Sequence, residues 1–378
     1  MASVATSSAS ATVVSAAPTN MYDMRVLVTT INVKANDATY QLSATTNIPT
    51  YIRTRYAFQR THAEVERLAS ALQTAYSDVI VPAPPPPSAD PSFLAESVNR
   101  FLDRICNHHQ LRTSEALKTF IESQFEFVSH QPLLRKAPST FRFSKMGIAT
   151  QNTRDDPFFE FARSEVAGIE THIYNMIKLN LDKIVKFEKD QAKSSNEVAS
   201  KLIGLCTEGD ALAGVLKKVA KCFQMADDVG SKQASYLSNT FNDSFTHCLR
   251  SVESAQITLQ NRLNALNSYT EACKATSKKI QALEKLKAAS TIKQDKVDAA
   301  LGELDDAKKV EMQHRELLKR MTDSIKVEYT TFDAQFQTDM AMYLKNYAER
   351  QLAFARNMKA AFDVTIPALR PMIEYRQR

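Results

Sequence analysis

Proline is missing from most of this 378-residue chain. From Phe158 to Ile366, about 209 consecutive residues contain none; ten of the 13 prolines precede Asp156, Pro157 stands at the boundary, and Pro367 and Pro371 follow. Proline lacks an N–H and clashes with the preceding helical turn, so its absence removes the main obstacle to continuous helix. Glycine is scarce as well, seven in all, six of them inside that stretch. This argues against a glycine-rich phosphate cradle, and no Walker A, G-x-G-x-x-G or G-x-S-x-G segment occurs. The seven histidines form no H-E-x-x-H. Neither catalysis nor a cofactor or metal is therefore expected. The five cysteines make no C-x-x-C pair, and the expectation is free thiols in a reducing cytosol. No run of 18 apolar residues exists, which excludes an ordinary membrane-spanning helix. Residues 1–19 carry no charge and Ala2 follows Met1, so neither a basic leader nor N-myristoylation is expected. The net charge of +6 is too small, without a matching motif, to argue for nucleic acid.

Helix fills the proline-free stretch. Leu237, Phe241, Phe245, Cys248, Val252, Ala255, Leu259 and Leu263 recur every three or four residues, as do Ile325, Tyr329, Phe332, Phe336, Met340, Tyr343 and Tyr347. Ile169, Ile173, Met176, Ile184 and Phe187 continue the pattern with one polar position, Asn180. Such stripes mark helices that pack lengthwise on partners. The spacing predicts three long helices, roughly 158–206, 210–289 and 293–366, broken at Thr207-Glu208-Gly209 and Ser290-Thr291. At 1.5 Å per residue the second would reach on the order of 120 Å, too long for a globular core. An elongated bundle is expected, its stripes buried within the chain, against a second copy, or both.

The N-terminal part reads differently. Residues 1–20 are rich in Ser, Ala and Thr without aromatics and are expected as a disordered tail. Leu27, Thr29, Ile31 and Val33 alternate, and Tyr40–Ser43 and Tyr56–Gln59 read as two further strands, with Asn36-Asp37 as a turn. Val65, Leu68, Ala69 and Leu72 fit one helix face. A polyproline segment, Val79 to Pro87, leads to helices at about 91–107 and 114–123.

Three strands, a helix, a proline-rich crossing and a helix reading Phe101-Leu102-Asp103-Arg104-Ile105, with His108 and then Leu117–Phe120, resemble a PX (phox homology) domain. Joined to three long helices in this order, the arrangement resembles the sorting nexins with a BAR domain. Further resemblance lies in Asp155-Asp156-Pro157-Phe158-Phe159, in the stripe from Phe241 to Arg262, and in the aromatics of Tyr329–Met358 around Asp339 and Gln351. It covers about residues 22–368. The resemblance implies an α+β PX-like domain at 21–130, a connector at 131–157, an all-α BAR domain at 158–368 forming an elongated antiparallel dimer, and a tail at 369–378.

PX domains usually grip phosphatidylinositol 3-phosphate with an Arg-Arg-aromatic segment after the third strand, because a guanidinium forks onto phosphate. The matching segment here is Arg60-Thr61-His62-Ala63-Glu64-Val65. Thr61 replaces the phosphate-gripping arginine and His62 the aromatic, which leaves Arg60 and His62 as candidate lipid residues in a degenerate pocket. Residues 20–130 carry 10 Lys/Arg against 11 Asp/Glu, in keeping with that loss.

The BAR resemblance implies membrane-binding lysines: Lys178, Lys183, Lys186, Lys189 and Lys193 on the first helix, and Lys278, Lys279, Lys285, Lys287 and Lys293 at the tip. A solvated helix face is the plainer reading of such runs. The dimer seam is assigned to Phe241, Phe245, Phe332 and Phe336. In the connector, Phe141, Phe143 and Met146 among basic residues fit either an inserted amphipathic helix or packing under the PX-like domain. The implied role is a cytoplasmic, peripheral protein of endosomal membranes that binds anionic or phosphoinositide-bearing lipid and curves it during protein transport. Its implied partners are a second copy or another sorting nexin, and a retromer-type cargo complex. The alternative is a helical dimeric scaffold that does not bend lipid.

Overall fold

The computed structural model describes residues 23–34, 37–128, 155–206, 212–288 and 294–375. The N-terminal tail, Asn36 and the connector with Phe141, Phe143 and Met146 lie outside them, as does Lys293.

Strands β1 (Met24–Lys34), β2 (Asp37–Thr46) and β3 (Arg55–Thr61) form an antiparallel sheet in the order β1-β2-β3. The expectation that Leu27, Thr29, Ile31 and Val33 share one alternating face of β1 is only half right. A register shift between Val28 and Thr30 switches the alternation. Ahead of it Met24 and Val26 are buried and Leu27 is exposed; beyond it Ile31 and Val33 turn to the core. An extra residue in one strand does this to every side chain that follows.

Helix α1 (His62–Ala75) follows β3 directly. Pro91 opens α2 (Pro91–Asn107), where the Asp90 carboxylate accepts from Ser92 N and Phe93 N, and Ser114 caps α3 (Glu115–Glu122). Their apolar faces close on the sheet around Tyr40, Leu42, Leu68, Leu94, Phe101, Ile105 and Phe120.

Three long rods follow. The first is α4 (Pro157–Thr171), a π-helical turn (His172–Lys178) and α5 (Leu179–Gly204). The second is α6 (Ala213–Tyr236), a π-turn (Leu237–Phe241) and α7 (Asn242–Lys287). The third, α8 (Gln294–Tyr375), runs past the expected end near 366, through Pro367 and Pro371, losing the N–H donors that proline lacks. α4 packs on α7, α5 on α6, and α8 along both α7 and α6. The first π-turn touches α7 and the second touches α5, each on the neighbouring rod.

The core of the sheet domain is continuous with the bundle through Ile173, Leu181, Leu237, Phe241, Phe245, Cys248 and Tyr343. A second cluster gathers Phe159, Ala162 and Val166 against Val252, Ala255, Leu259, Ile325 and Tyr329.

Candidate functional site

Arg60, next to last in β3, points inward and is 4% exposed. Its Nε donates to Phe120 O at 3.0 Å, Nη1 to Gln59 O at 2.8 Å and Nη2 to Ser123 O at 2.6 Å. The guanidinium lies 5.4 Å from the centres of both the Phe58 and Phe120 rings. Every nitrogen is therefore occupied by the protein itself. Thr61, where the resemblance puts the phosphate-gripping arginine, is the N-cap of α1. Its Oγ1 accepts from Glu64 N at 3.3 Å, while its own N–H donates to Glu64 Oε2 at 2.7 Å, a reciprocal capping box. His62 is buried with Nδ1 2.7 Å from the Tyr40 hydroxyl, and burial lowers its pKa. The segment has been turned over to folding.

The proline-rich segment is held just as firmly. Five side chains of α7 reach five alternate carbonyls along it. Asn261 donates to Ser77 O at 3.2 Å, Thr258 to Val79 O at 3.0 Å, Ser254 to Val81 O at 2.5 Å, and Arg250 to Pro85 O at 3.0 Å. His247 Nε2 lies 3.0 Å from Ala83 O, which fixes it as the donor, so the Tyr343 hydroxyl, 2.7 Å from Nδ1, donates to the other nitrogen. Positions three or four apart share a helix face, so Asn261, Thr258 and Ser254 meet alternate carbonyls in order; at the end His247 takes Ala83 and the longer Arg250 reaches past it to Pro85. Burial pushes the His247 pKa down to about 4. From α2, Arg104 forks onto Asp339 with two contacts of 2.8 Å, and Arg100 lies 3.6 Å from the same carboxylate. His108 Nε2 is 2.9 Å from Glu328. Sequence reasoning missed this interface. Its signal was the polar series His247, Arg250, Ser254, Thr258, Asn261 running beside the apolar stripe.

Two of the resembling segments meet in space. Arg262 donates to Asp155 at 2.6 Å and sits 3.6 Å over the Phe159 ring, and Arg163 holds the other Asp155 oxygen at 2.7 Å. Burial alone would raise the Asp155 pKa, but Arg262 and Arg163 outweigh it and hold the carboxyl below its usual range.

The candidate lysines divide. Lys178 is half-buried and donates to Thr246 Oγ1 at 3.0 Å. Lys183, Lys186, Lys189 and Lys193 are exposed on α5 at spacings of three and four, which places them on one side of the helix. Lys193 lies 3.9 Å from Glu197. At the far end of α7, Lys278, Lys285 and Lys287 are exposed and Lys279 pairs with Glu303.

The four phenylalanines assigned to a seam are packed inside the single chain. Phe241 stacks on Tyr347 with ring centres 4.3 Å apart and meets Phe245 at 4.9 Å, and Phe332 meets Phe336 at 5.8 Å. Their stripes pair α7 with α8. Large exposed apolar residues lie elsewhere, on α5 (Leu179, Ile184, Phe187) and the end of α8 (Leu352, Phe362, Ile366). No helix among the described residues is long and apolar enough to cross a membrane.

Comparison with known proteins agrees in both halves. The family model described as Vps5 C terminal like matches residues 133–363, and the PX domain model matches residues 48–124. Vacuolar protein sorting-associated protein 17 of Schizosaccharomyces pombe is 21% identical over 354 residues, which cover 89% of this chain and 63% of that protein. The chain thus spans somewhat under two thirds of that relative's length. Sorting nexin 1 of Arabidopsis thaliana is 21% identical, with 87% of each chain covered. Among solved structures, a chain of the SNX-BAR Mvp1 tetramer superposes with a TM-score of 0.60 at 13% identity, over 90% of this chain and 99% of that one. With the Vps5-type region spanning more than half of its length behind a PX domain, this chain belongs to the sorting nexins of the PX–BAR type.

Proposed function

We propose that the protein is a peripheral adaptor of endosomal protein transport that binds anionic membrane as a dimer and curves it. One observation carries this reading. The bundle leaves Leu179, Ile184 and Phe187 of α5 and Leu352, Phe362 and Ile366 of α8 in solvent, while α5 also carries the exposed lysines 183, 186, 189 and 193. Apolar surface of that extent calls for a protein partner, and a second copy or another sorting nexin of like shape supplies one. The dimer would then carry two rows of lysines and two basic tips, Lys278, Lys285 and Lys287 with Lys293 beyond them. In this proposal the PX-like domain at 21–130, with Arg60 and His62 turned inward, contributes little head-group recognition. The connector at 131–157, with Phe141, Phe143 and Met146, is an insertion candidate. The chain is non-catalytic and acts on the cytoplasmic face of endosomes with a retromer-type cargo complex.

Light scattering combined with sedimentation on vesicles of graded diameter tests the reading. A dimer, alone or with a sorting-nexin partner, that sediments with anionic vesicles is the expected result. A monomer that ignores vesicles of every size overturns it. A dimer that ignores them favours the scaffold reading.

A further inference from the structure

The sheet domain carries a second surface with the chemistry of a membrane contact, at the turn into β3 and just beyond α3, on different elements from the helical lysines. β3 is an edge strand, and the turn leading into it holds Ile52 outward, 80% exposed. That turn is fastened. The Ile52 N–H donates to Glu122 Oε1 at 2.7 Å, the Tyr56 hydroxyl donates to the same oxygen at 2.8 Å, and Arg53 N donates to the Tyr56 hydroxyl at 2.6 Å. Just beyond α3 a second fastened turn holds Phe125 outward, 84% exposed, with its N–H donating to Ser123 Oγ at 3.1 Å. Ile52, Arg53 and Arg55 line one groove with Ser123 and Gln124, which brings the two turns side by side. Both arginines are exposed. The nearby acids are engaged, Glu122 as above and Glu126 with Arg67 at 2.5 Å.

We propose that Ile52 and Phe125, flanked by Arg53 and Arg55, form a membrane-contact site for an anionic lipid interface. Protruding apolar side chains on anchored turns suit a soft interface, and adjacent guanidiniums suit its anionic head groups. The charges disfavour other occupants. The connector brings five Lys/Arg against two Asp/Glu at 131–157, and a second copy meeting this patch through the same surface would add its own Arg53 and Arg55 to the contact. The site rests on the reading of the protein as membrane-binding.

The chain contains no tryptophan, so Phe125→Trp in the full-length protein places a single indole at the patch. With phosphatidylcholine–phosphatidylserine vesicles the indole emission should shift to the blue and be quenched by brominated lipid. Sedimentation with unchanged emission overturns this site and leaves the membrane function standing; no sedimentation overturns both. Emission already blue without lipid also overturns it, marking a second copy if the shift depends on concentration and the chain's own connector if it does not. Ile52→Ser with Phe125→Ser should weaken vesicle binding by about tenfold or more. Arg53→Ala with Arg55→Ala should weaken it by about tenfold at low salt and less at high salt. Circular dichroism of both variants should match the parent, and unaltered vesicle affinity in both overturns the site.

Discussion

Arg262 and Asp155 are where a single substitution should tell most. Both side chains are almost fully buried, 4% and 7% exposed, so removing one strands the other's charge. Arg262→Met should cost about 3–5 kcal/mol, read as a fall in the denaturation midpoint. Acid should act in two windows. His247 has a folded pKa of about 4 against 6.5 when free, so between those values the unfolded chain takes up a proton that the folded chain refuses. Stability should therefore decline by on the order of 3 kcal/mol as pH falls from 6.5 towards 4. Asp155 is depressed below its ordinary 3.8, so its contribution persists to lower pH and drains only as pH drops beneath that value. Urea midpoints measured from pH 7 to 4 check the first window, and His247→Gln should flatten the curve. At Thr61, restoring the family's arginine removes a helix cap. Thr61→Arg should lose about 1 kcal/mol, and head-group binding assays on the full chain should show little specificity before the change.

Among the elements, those whose signal lies within a few residues were legible in the sequence, and those made by packing were not. Proline's absence and the three-to-four spacing located the rods, and Pro91 after Asp90 located the start of α2. The β1 bulge carried no local mark, so the face of Leu27 and Thr29 was misassigned. The π-turns were also silent, since a widened turn is set by what two rods must clear as they pass. Phe241 and Phe332 looked like seam residues because periodicity shows that a face is buried but never against which partner. The clamp on the proline-rich segment can be tested directly. Ser254→Ala with Thr258→Val adds no bulk but leaves the carbonyls of Val81 and Val79 without donors, costing about 1–3 kcal/mol each. Limited proteolysis should then cut within 77–87, where the parent resists.

For the whole molecule, interior and surface phenylalanines should behave differently. Phe187→Asp or Phe362→Asp places charge on exposed apolar surface and should shift the mass from dimer to monomer with helicity retained. Phe241→Asp buries the charge within one chain and should unfold or aggregate it instead. Reversing Lys278, Lys285 and Lys287 to Glu should sharply reduce sedimentation with anionic vesicles. Since screening limits such attraction to about 8 Å at physiological salt, the parent's binding should fall steeply as ionic strength rises. The row of five carbonyls gripped by α7 has a mechanical consequence. A tensile load on the sheet domain would pass into the second rod through these five side-chain contacts, shared along about four turns of α7 instead of borne at one point.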